Sequence, residues 1–536
     1  MADADVIVVG AGHNGLICAA YLAKAGIDTL LLDARSTVGG LASTEADLGA
    51  RFNICNCDHT MIRAMPIIDE LDLESHGLRY LESDVSSIQL FHDGSEPFMF
   101  FHEVERQLDE LAAVHPRQVE GYRRYLADAT PVIELSLEIA RTIPSTPAMV
   151  ATALRRKAAG AATLLKWSRR SLTDVLGDYF DDWHLVMPAI SSGPTMWGAS
   201  PDAPGTGSAA GLYATRHLVK SGRPVGGSGG LTDSIRSRFE AAGGRVQTSA
   251  RVERLLVGSD GVEGVVLEDG TVLSANTVVA ACDPQRVYVD WVDEVPPAAR
   301  KAVARWADAP EQPGYQSKLD AIIRQVPRYE AFDQLAGRVP GVDLLEPTLW
   351  INPSPEKLAV SHALRKSGRV VDQPTMLTNV PSVLDDAMRT ASGDHVLSLE
   401  VLFTPYGGDE PWDRDVEPKR WLDLWSRNVQ PGMLDNLVDY RVMTPERYDA
   451  DFSMHKGHTP SFSAPPLKSL LGLQRDQTRY RSPIAGLYLS GAGTFPGAGV
   501  FGAPGRNAAH MVIHDLNGRI GAAITKVRRT VKTLGA

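Results

Sequence analysis

Near the N-terminus, Gly10-Ala11-Gly12-His13-Asn14-Gly15 has the residue types and spacing to hold a pyrophosphate. In such a G-x-G-x-x-G turn the first glycine permits the bend and the second lets the backbone approach the phosphates. The third lets the following helix pack closely on its strand. Exposed N–H groups and the helix dipole then favour the negative charge. Asp33 stands 18 residues after Gly15, where a carboxylate accepts hydrogen bonds from ribose hydroxyls; Ala34 and Arg35 follow it. Its charge repels a 2′-phosphate, which disfavours NADP. The turn alone does not choose between NAD and FAD. Gly39 and Gly40, with Leu41 and Ala42, offer a second close backbone approach that suits the longer ligand, FAD.

A second glycine-rich stretch, Gly491 to Val500 with Gly499 near its end, feeds a helix expected from Gly505. Such a loop can lie against a flavin ring, with the helix N-terminus stabilising negative charge on the reduced form. It can equally be a turn that closes the last helix. Gly497, Gly499 and Gly502 repeat the G-x-G-x-x-G spacing, but no strand abuts them and no acid stands near residue 520, so they are not read as an NAD site. For proton transfer the candidate is His59, after Asp58; the alternative is a packed histidine. His217 and His455 are weaker candidates. No metal-spaced cluster and no Ser/His/Asp order is evident.

The elements that must position these residues form an α/β pattern. Asp5 to Val9 predicts a buried parallel strand, Gly15 to Ala25 a helix and Thr29 to Leu32 a second strand. From about Leu78 to Val219 the pattern is mostly helical. A second α/β stretch has a helix at Leu231 to Ala242 and strands at Arg245 to Thr248 and Val252 to Val257. A hairpin at Val262 to Glu268 and Val272 to Leu273 and a buried strand at Thr277 to Ala281 complete it. A last strand, Gly486 to Ser490, precedes the C-terminal helix. The expected organisation is a discontinuous dinucleotide-binding domain in segments 1–77, 221–290 and 481–520. An α+β substrate domain in segments 78–220 and 291–480 is inserted into it, and a basic tail covers 521–536.

The 536 residues are 43% hydrophobic and 22% charged, with a formal net charge of −11, which argues against general nucleic-acid binding. The four cysteines have no disulfide or zinc spacing, so a reducing, cytoplasmic setting is expected. No run is long enough to span a bilayer. Ala151 to Leu172 places Arg155, Arg156, Lys157, Lys166, Arg169 and Arg170 among leucines and Trp167. Such a helix can rest on an anionic membrane surface or simply be a solvated face.

These motifs together resemble the bacterial phytoene desaturase superfamily, in its carotenoid-ketolase and pyridine-nucleotide-disulfide-oxidoreductase-like branch. The resemblance is carried by Val8 to Leu16, Arg51 to His59, Val225 to Thr232 and Pro381 to Asp385. Gly486 to Thr494 and Gly502 to Ala509 are its strongest part. It implies a glutathione-reductase-like Rossmann domain for FAD, with the Val252 backbone meeting the adenine and the loop Gly491 to Val500 along the flavin. The expected activity is a dehydrogenase or desaturase that moves hydride from an apolar, isoprenoid-like substrate to flavin N5. Oxygen, a quinone or another acceptor, rather than NAD(P), is expected to receive the electrons. The alternatives are a flavin amine oxidase for a smaller polar molecule and a flavin-stabilised binding protein.

Overall fold

The computed structural model describes the chain except residues 1, 56, 143–146, 148–150, 153–157, 192–199, 311–312, 408–414, 459–471 and 535–536, and the side chains of 158 and 519–534. Five strands form one parallel sheet: β1 (Val6–Val9), β2 (Thr29–Leu32), β3 (Arg245–Gln247), β4 (Val278–Ala280) and β5 (Leu487–Leu489), in the order β5-β4-β1-β2-β3. Ile7 pairs with Leu30 on one side and Val278 on the other, so both neighbours of the central strand run with it. The sheet is thus assembled from three distant parts of the chain.

The period of two along β1 decides what covers each face. Val6 and Val8 point into a core with helices α1 (His13–Lys24), α2 (Gly229–Ala241) and α3 (Ala503–Leu534). Ile7 and Val9 point the other way, onto a three-stranded antiparallel meander, Val252–Gly258, Gly261–Leu267 and Val272–Ser274. β1 itself is fully buried, as its unbroken apolar run requires. Meander, sheet and helices make three layers, the α/β architecture expected for the dinucleotide-binding domain.

The rest of the chain builds a seven-stranded mixed sheet in the order Leu437–Met443, Tyr315–Ile323, His395–Thr404, Met376–Asn379, Thr348–Asn352, Val85–Phe91 and Phe98–Phe101. The last two strands lie within the stretch expected to be mostly helical. Both are buried throughout or nearly so; Phe98–Phe101 is a short unbroken apolar run and Val85–Phe91 carries Ser86, Ser87 and Gln89, so neither shows the alternation that marks a half-exposed strand. Helix Val119–Arg141 and the shorter helices Ala158–Trp167, Leu172–Gly177 and Trp183–Ser191 follow them. Trp167 is 1% exposed and packs edge-on to Tyr179, so the aromatic expected to anchor a membrane-surface helix belongs to the core. Arg170 is engaged by Asp178. Arg155, Arg156 and Lys157 lie outside the described residues, as do the side chains of the basic tail. Among the described residues no helix is long and apolar enough to cross a membrane.

Candidate functional site

The carboxyl ends of β1, β2, β4 and β5 converge, and the sequence-selected residues collect there. Gly10 continues β1 with φ +96°, a left-handed conformation that its lack of a Cβ allows, and its N–H donates to the Leu32 carbonyl. Gly15 has no room for a side chain: a Cβ would stand 1.8 Å from the Gly10 carbonyl oxygen. Gly12 is the opposite case, since a Cβ there would meet nothing within 4 Å, so the backbone borders open space. No side chain caps the first turn of α1. That leaves the first N–H groups of the helix facing the same space without a side-chain acceptor among the described residues.

Asp33 is 9% exposed and already binds the protein: Oδ2 accepts from the Ala11 N–H at 2.7 Å and Oδ1 from the Arg35 N–H at 2.8 Å. It thereby ties the turn after β1 to the end of β2, a role that the motif did not announce. Each oxygen keeps lone pairs for a ribose hydroxyl. Burial raises the carboxyl pKa against these two N–H groups and the Arg35 and Arg251 charges. Ala34 is the intervening residue. The Arg35 guanidinium lies 4.2 Å over the Phe452 ring and pairs with Glu45, while its Nη1 is buried with no hydrogen-bond partner among the described residues.

Gly39 and Gly40 press against the fingerprint. The Gly39 N–H donates to the Ala11 carbonyl at 2.8 Å, and a Cβ on Gly40 would sit 3.1 Å from Gly12 Cα. Leu41 packs toward Ile54 and Tyr448, and Ala42 is buried. Val252 opens the meander beside Ala250, whose N–H donates to the Asp33 carbonyl.

From the other end of the chain, Gly491 follows β5 with φ +92°. The loop then turns back onto α1. His13 is bonded to the Gly499 backbone, and burial pushes its pKa down to about 4 against that bond. Asn14 Oδ1 accepts from the Gly505 N–H, and a Cβ on Gly505 would meet the Asn14 carbonyl oxygen at 2.2 Å. Gly499 itself borders open space, Val500 packs on the helical core, and Ser490 Oγ is buried without a partner among the described residues. Open backbone at Gly12 and Gly499, with orphaned polar atoms on Arg35 and Ser490, fits an elongated polar ligand crossing the strand ends.

His59 comes from the segment after Asn53, near His13. It is 1% exposed, with Nδ1 3.1 Å from Tyr80 Oη and Nε2 3.1 Å from Ser228 Oγ. Burial pushes its pKa down to about 3, helped by the neighbouring His13 and opposed by Asp58. A histidine with both nitrogens bonded and so low a proton affinity is held as a packing element at neutral pH.

The central cluster Val225 to Leu231 also donates inward. The Gly226, Ser228 and Gly229 N–H groups go to Asp385 Oδ2 (2.6 Å), Asn53 Oδ1 (2.8 Å) and Thr44 Oγ1 (2.8 Å). Its donors hold the segments around Thr44, Asn53 and Asp385 together.

Sequence reasoning missed a buried polar cavity beside Asn53, Cys55 and Cys57. Its volume of about 10 Å³ suits a single water, and Lys318, Asn379 and Glu400 also line it. Lys318 Nζ donates to the Asn53 carbonyl at 2.7 Å and pairs with Asp320, which Arg441 also approaches at 3.3 Å. Burial raises the Glu400 pKa to about 7, Lys318 opposing and Asp320 adding to it. The cavity's charged residues stand inside two buried strands, Tyr315–Ile323 and His395–Thr404, which no spacing rule ties together.

Against known proteins, the profile of the flavin-containing amine oxidoreductases matches residues 15–312. The chain belongs to that family. FAD is therefore its cofactor and oxidoreduction its chemistry, as the geometry at the strand ends allows. Among curated proteins it is 27% identical to pyridine nucleotide-disulfide oxidoreductase domain-containing protein 2 of Rattus norvegicus, covering 96% of this chain and 94% of that one. It is also 27% identical to the lycopene-forming phytoene desaturase of Pseudescherichia vulneris, over 95% of this chain and 99% of the other. A solved structure of a putrescine oxidase variant aligns with a TM-score of 0.59 at 16% identity, covering 96% of this chain and 99% of that one. At that identity the likeness is one of fold.

Proposed function

We propose that this flavoenzyme is a dehydrogenase or desaturase of an apolar, isoprenoid-like substrate. The observation that carries the reading is the end-to-end match to a lycopene-forming desaturase, at 27% identity over 95% of the chain. A cleft of about 300 Å³ along helix Val119–Arg141, lined by Leu135, Leu137, Leu218 and Val219 with Glu134, Glu138 and Arg141 at its polar side, offers apolar surface within the inserted domain.

In this reading the fingerprint turn holds the pyrophosphate and Asp33 the ribose, with Ala34, Arg35, Gly39, Gly40, Leu41, Ala42 and Val252 around the ADP half. Gly491, Gly499 and Val500 border the flavin half. Bound FAD supplies the two-electron acceptor for a hydride equivalent leaving the substrate. The protein supplies position and a dry surround. His59, neutral and doubly bonded, keeps the segment after Asn53 in place. The electrons pass on to oxygen, a quinone or another acceptor. Support for excluding NAD(P) comes from the α2 glycine cluster, whose N–H donors are engaged by Asp385, Asn53 and Thr44.

The test is anaerobic mixing of oxidised holoenzyme with phytoene in detergent, with putrescine, and with NADH or NADPH, following flavin absorbance. Bleaching by the hydrocarbon alone is expected. Bleaching by putrescine alone overturns the reading in favour of an amine oxidase, and rapid bleaching by either nucleotide overturns the electron path.

A further inference from the structure

Arg365 is an anomaly in the inserted domain. It ends helix Pro355–Lys366, is 4% exposed, and makes no ion pair among the described residues. Its Nη1 donates to the Gly314 carbonyl at 3.2 Å and its guanidinium lies 5.8 Å from the Phe403 ring centre, while Nε has no partner among the described residues. A buried charge with one carbonyl and a ring for company is poorly compensated, and proteins almost always pair such a group or reserve it for a ligand. The helix C-terminus offers partial negative charge, but only part of a unit.

Two more orphaned polar atoms stand around the same ring. His362, one turn before Arg365, lies tilted against Phe403 at 4.3 Å between ring centres and has Nε2 buried without a partner among the described residues. Thr375 Oγ1 is likewise buried and unpartnered, and the Thr375 carbonyl accepts from the Leu402 N–H beside Phe403. Phe403 itself has φ +61°, which a bulky side chain rarely adopts. The strand pairing skips it, Tyr315 facing Thr404 and Gln316 facing Leu402, so the bulge turns its ring in between His362 and Arg365. Strain of this kind persists where surrounding structure enforces a special arrangement.

We propose that Arg365, with His362 and Thr375, binds the anionic end group, a carboxylate or a phosphate, of an otherwise apolar substrate. Buried guanidinium, imidazole and hydroxyl donors around one aromatic ring are the chemistry that recognises either group. The site shares its strands with the polar cavity: Tyr315 and Thr404 lie three and four residues along from Lys318 and Glu400, about 10–13 Å away. At the strand rise, a chain of roughly eight to ten carbons spans that distance. This rests on the reading above that the substrate is apolar, and it adds a charged end that a pure hydrocarbon lacks.

The experiment titrates holoenzyme calorimetrically with decanoate, decyl phosphate and 1-decanol, in the wild type, Arg365→Met and Arg365→Lys. At least one anion should bind the wild type tenfold or more tighter than decanol, and the ratio of the two names the end group. Arg365→Met should lose that advantage while holding decanol as before, and Arg365→Lys should keep part of it. Without ligand, Arg365→Met should melt higher than the wild type, because an apolar side chain replaces an uncompensated buried charge. Three outcomes overturn the inference: anions binding no tighter than decanol, an anion advantage that survives in Arg365→Met, or an Arg365→Met protein that melts lower or fails to fold. Decanol binding with no anion preference refutes the charged end alone. Failure of all three probes refutes the apolar substrate as well.

Discussion

Asp33→Ala separates the carboxylate's bracing of the turn from the ribose contact proposed for it. Its oxygens accept from the Ala11 and Arg35 N–H groups at 2.7 and 2.8 Å, and the side chain is 9% exposed. Removing it leaves two buried donors unsatisfied, at about 1–3 kcal/mol each, so the FAD-free protein should lose roughly 2–6 kcal/mol of stability. The ribose contact adds a charge-assisted bond of about 1.5–3 kcal/mol, equivalent to roughly a 10- to 150-fold weaker FAD affinity. The assay needs both readings: denaturant unfolding of stripped protein, and FAD titration by quenching of flavin fluorescence. Asp33→Asn is the partner variant, since it restores one acceptor but turns an NH₂ toward the other N–H; it should fall between wild type and alanine in both. Stripped Asp33→Ala unfolding at the wild-type midpoint would refute the bracing role. Unchanged FAD affinity in a folded variant would remove Asp33 from the ribose site.

Three further perturbations follow from the packing and the buried titrating groups. Gly15→Ala drives a Cβ to 1.8 Å from the Gly10 oxygen, so it should yield protein without FAD; recovery of a stoichiometric yellow holoprotein would contradict the close α1–β1 approach. His59 and Glu400 give opposite pH signatures in FAD-free unfolding experiments. With the His59 pKa held near 3 in the fold, its neutral form contributes on the order of 4–5 kcal/mol above pH 6.5, lost as pH falls toward 3. His59→Gln should flatten that acid limb. The Glu400 carboxyl, raised to about 7, favours the folded state at low pH and loses on the order of 3 kcal/mol as pH rises from about 4.5 to 7. Glu400→Gln should therefore gain on the wild type across that window and hold the gap above it; parallel pH profiles would refute the buried acid.

What the sequence made legible was local and periodic. The turn at Gly10–Gly15, the strands around it and the meander announce themselves through glycine spacing and unbroken apolar runs. Even the three-part sheet was visible, because each part carries its own strand. Arg365 and Glu400 were not, since a charge inside a buried strand or at a helix end signals nothing until tertiary packing shows what surrounds it. His59 shows the reverse: an Asp-His pair invites a catalytic reading, and only the contacts with Tyr80 and Ser228 reveal both nitrogens engaged. The aromatic in the basic stretch was likewise ambiguous, because a tryptophan at helical spacing serves a core as readily as a membrane surface, and Trp167 serves the core.

The edge strand β5 and the loop after it come from residues 487–502, within the last tenth of the chain, yet they sit on β4 and on the first turn of α1. A ribosome therefore releases the fingerprint turn long before the segment that completes its surroundings has been made. Until then β4 has a bare edge and α1 an uncovered start, the kind of surface that invites strand pairing with other chains. Synthesis of this protein should lean on chaperones that shield the nascent sheet, and cofactor loading should be a late, post-translational event. Any frameshift or proteolytic loss before residue 487 would leave a long polypeptide with its fingerprint turn intact and the edge of β4 bare.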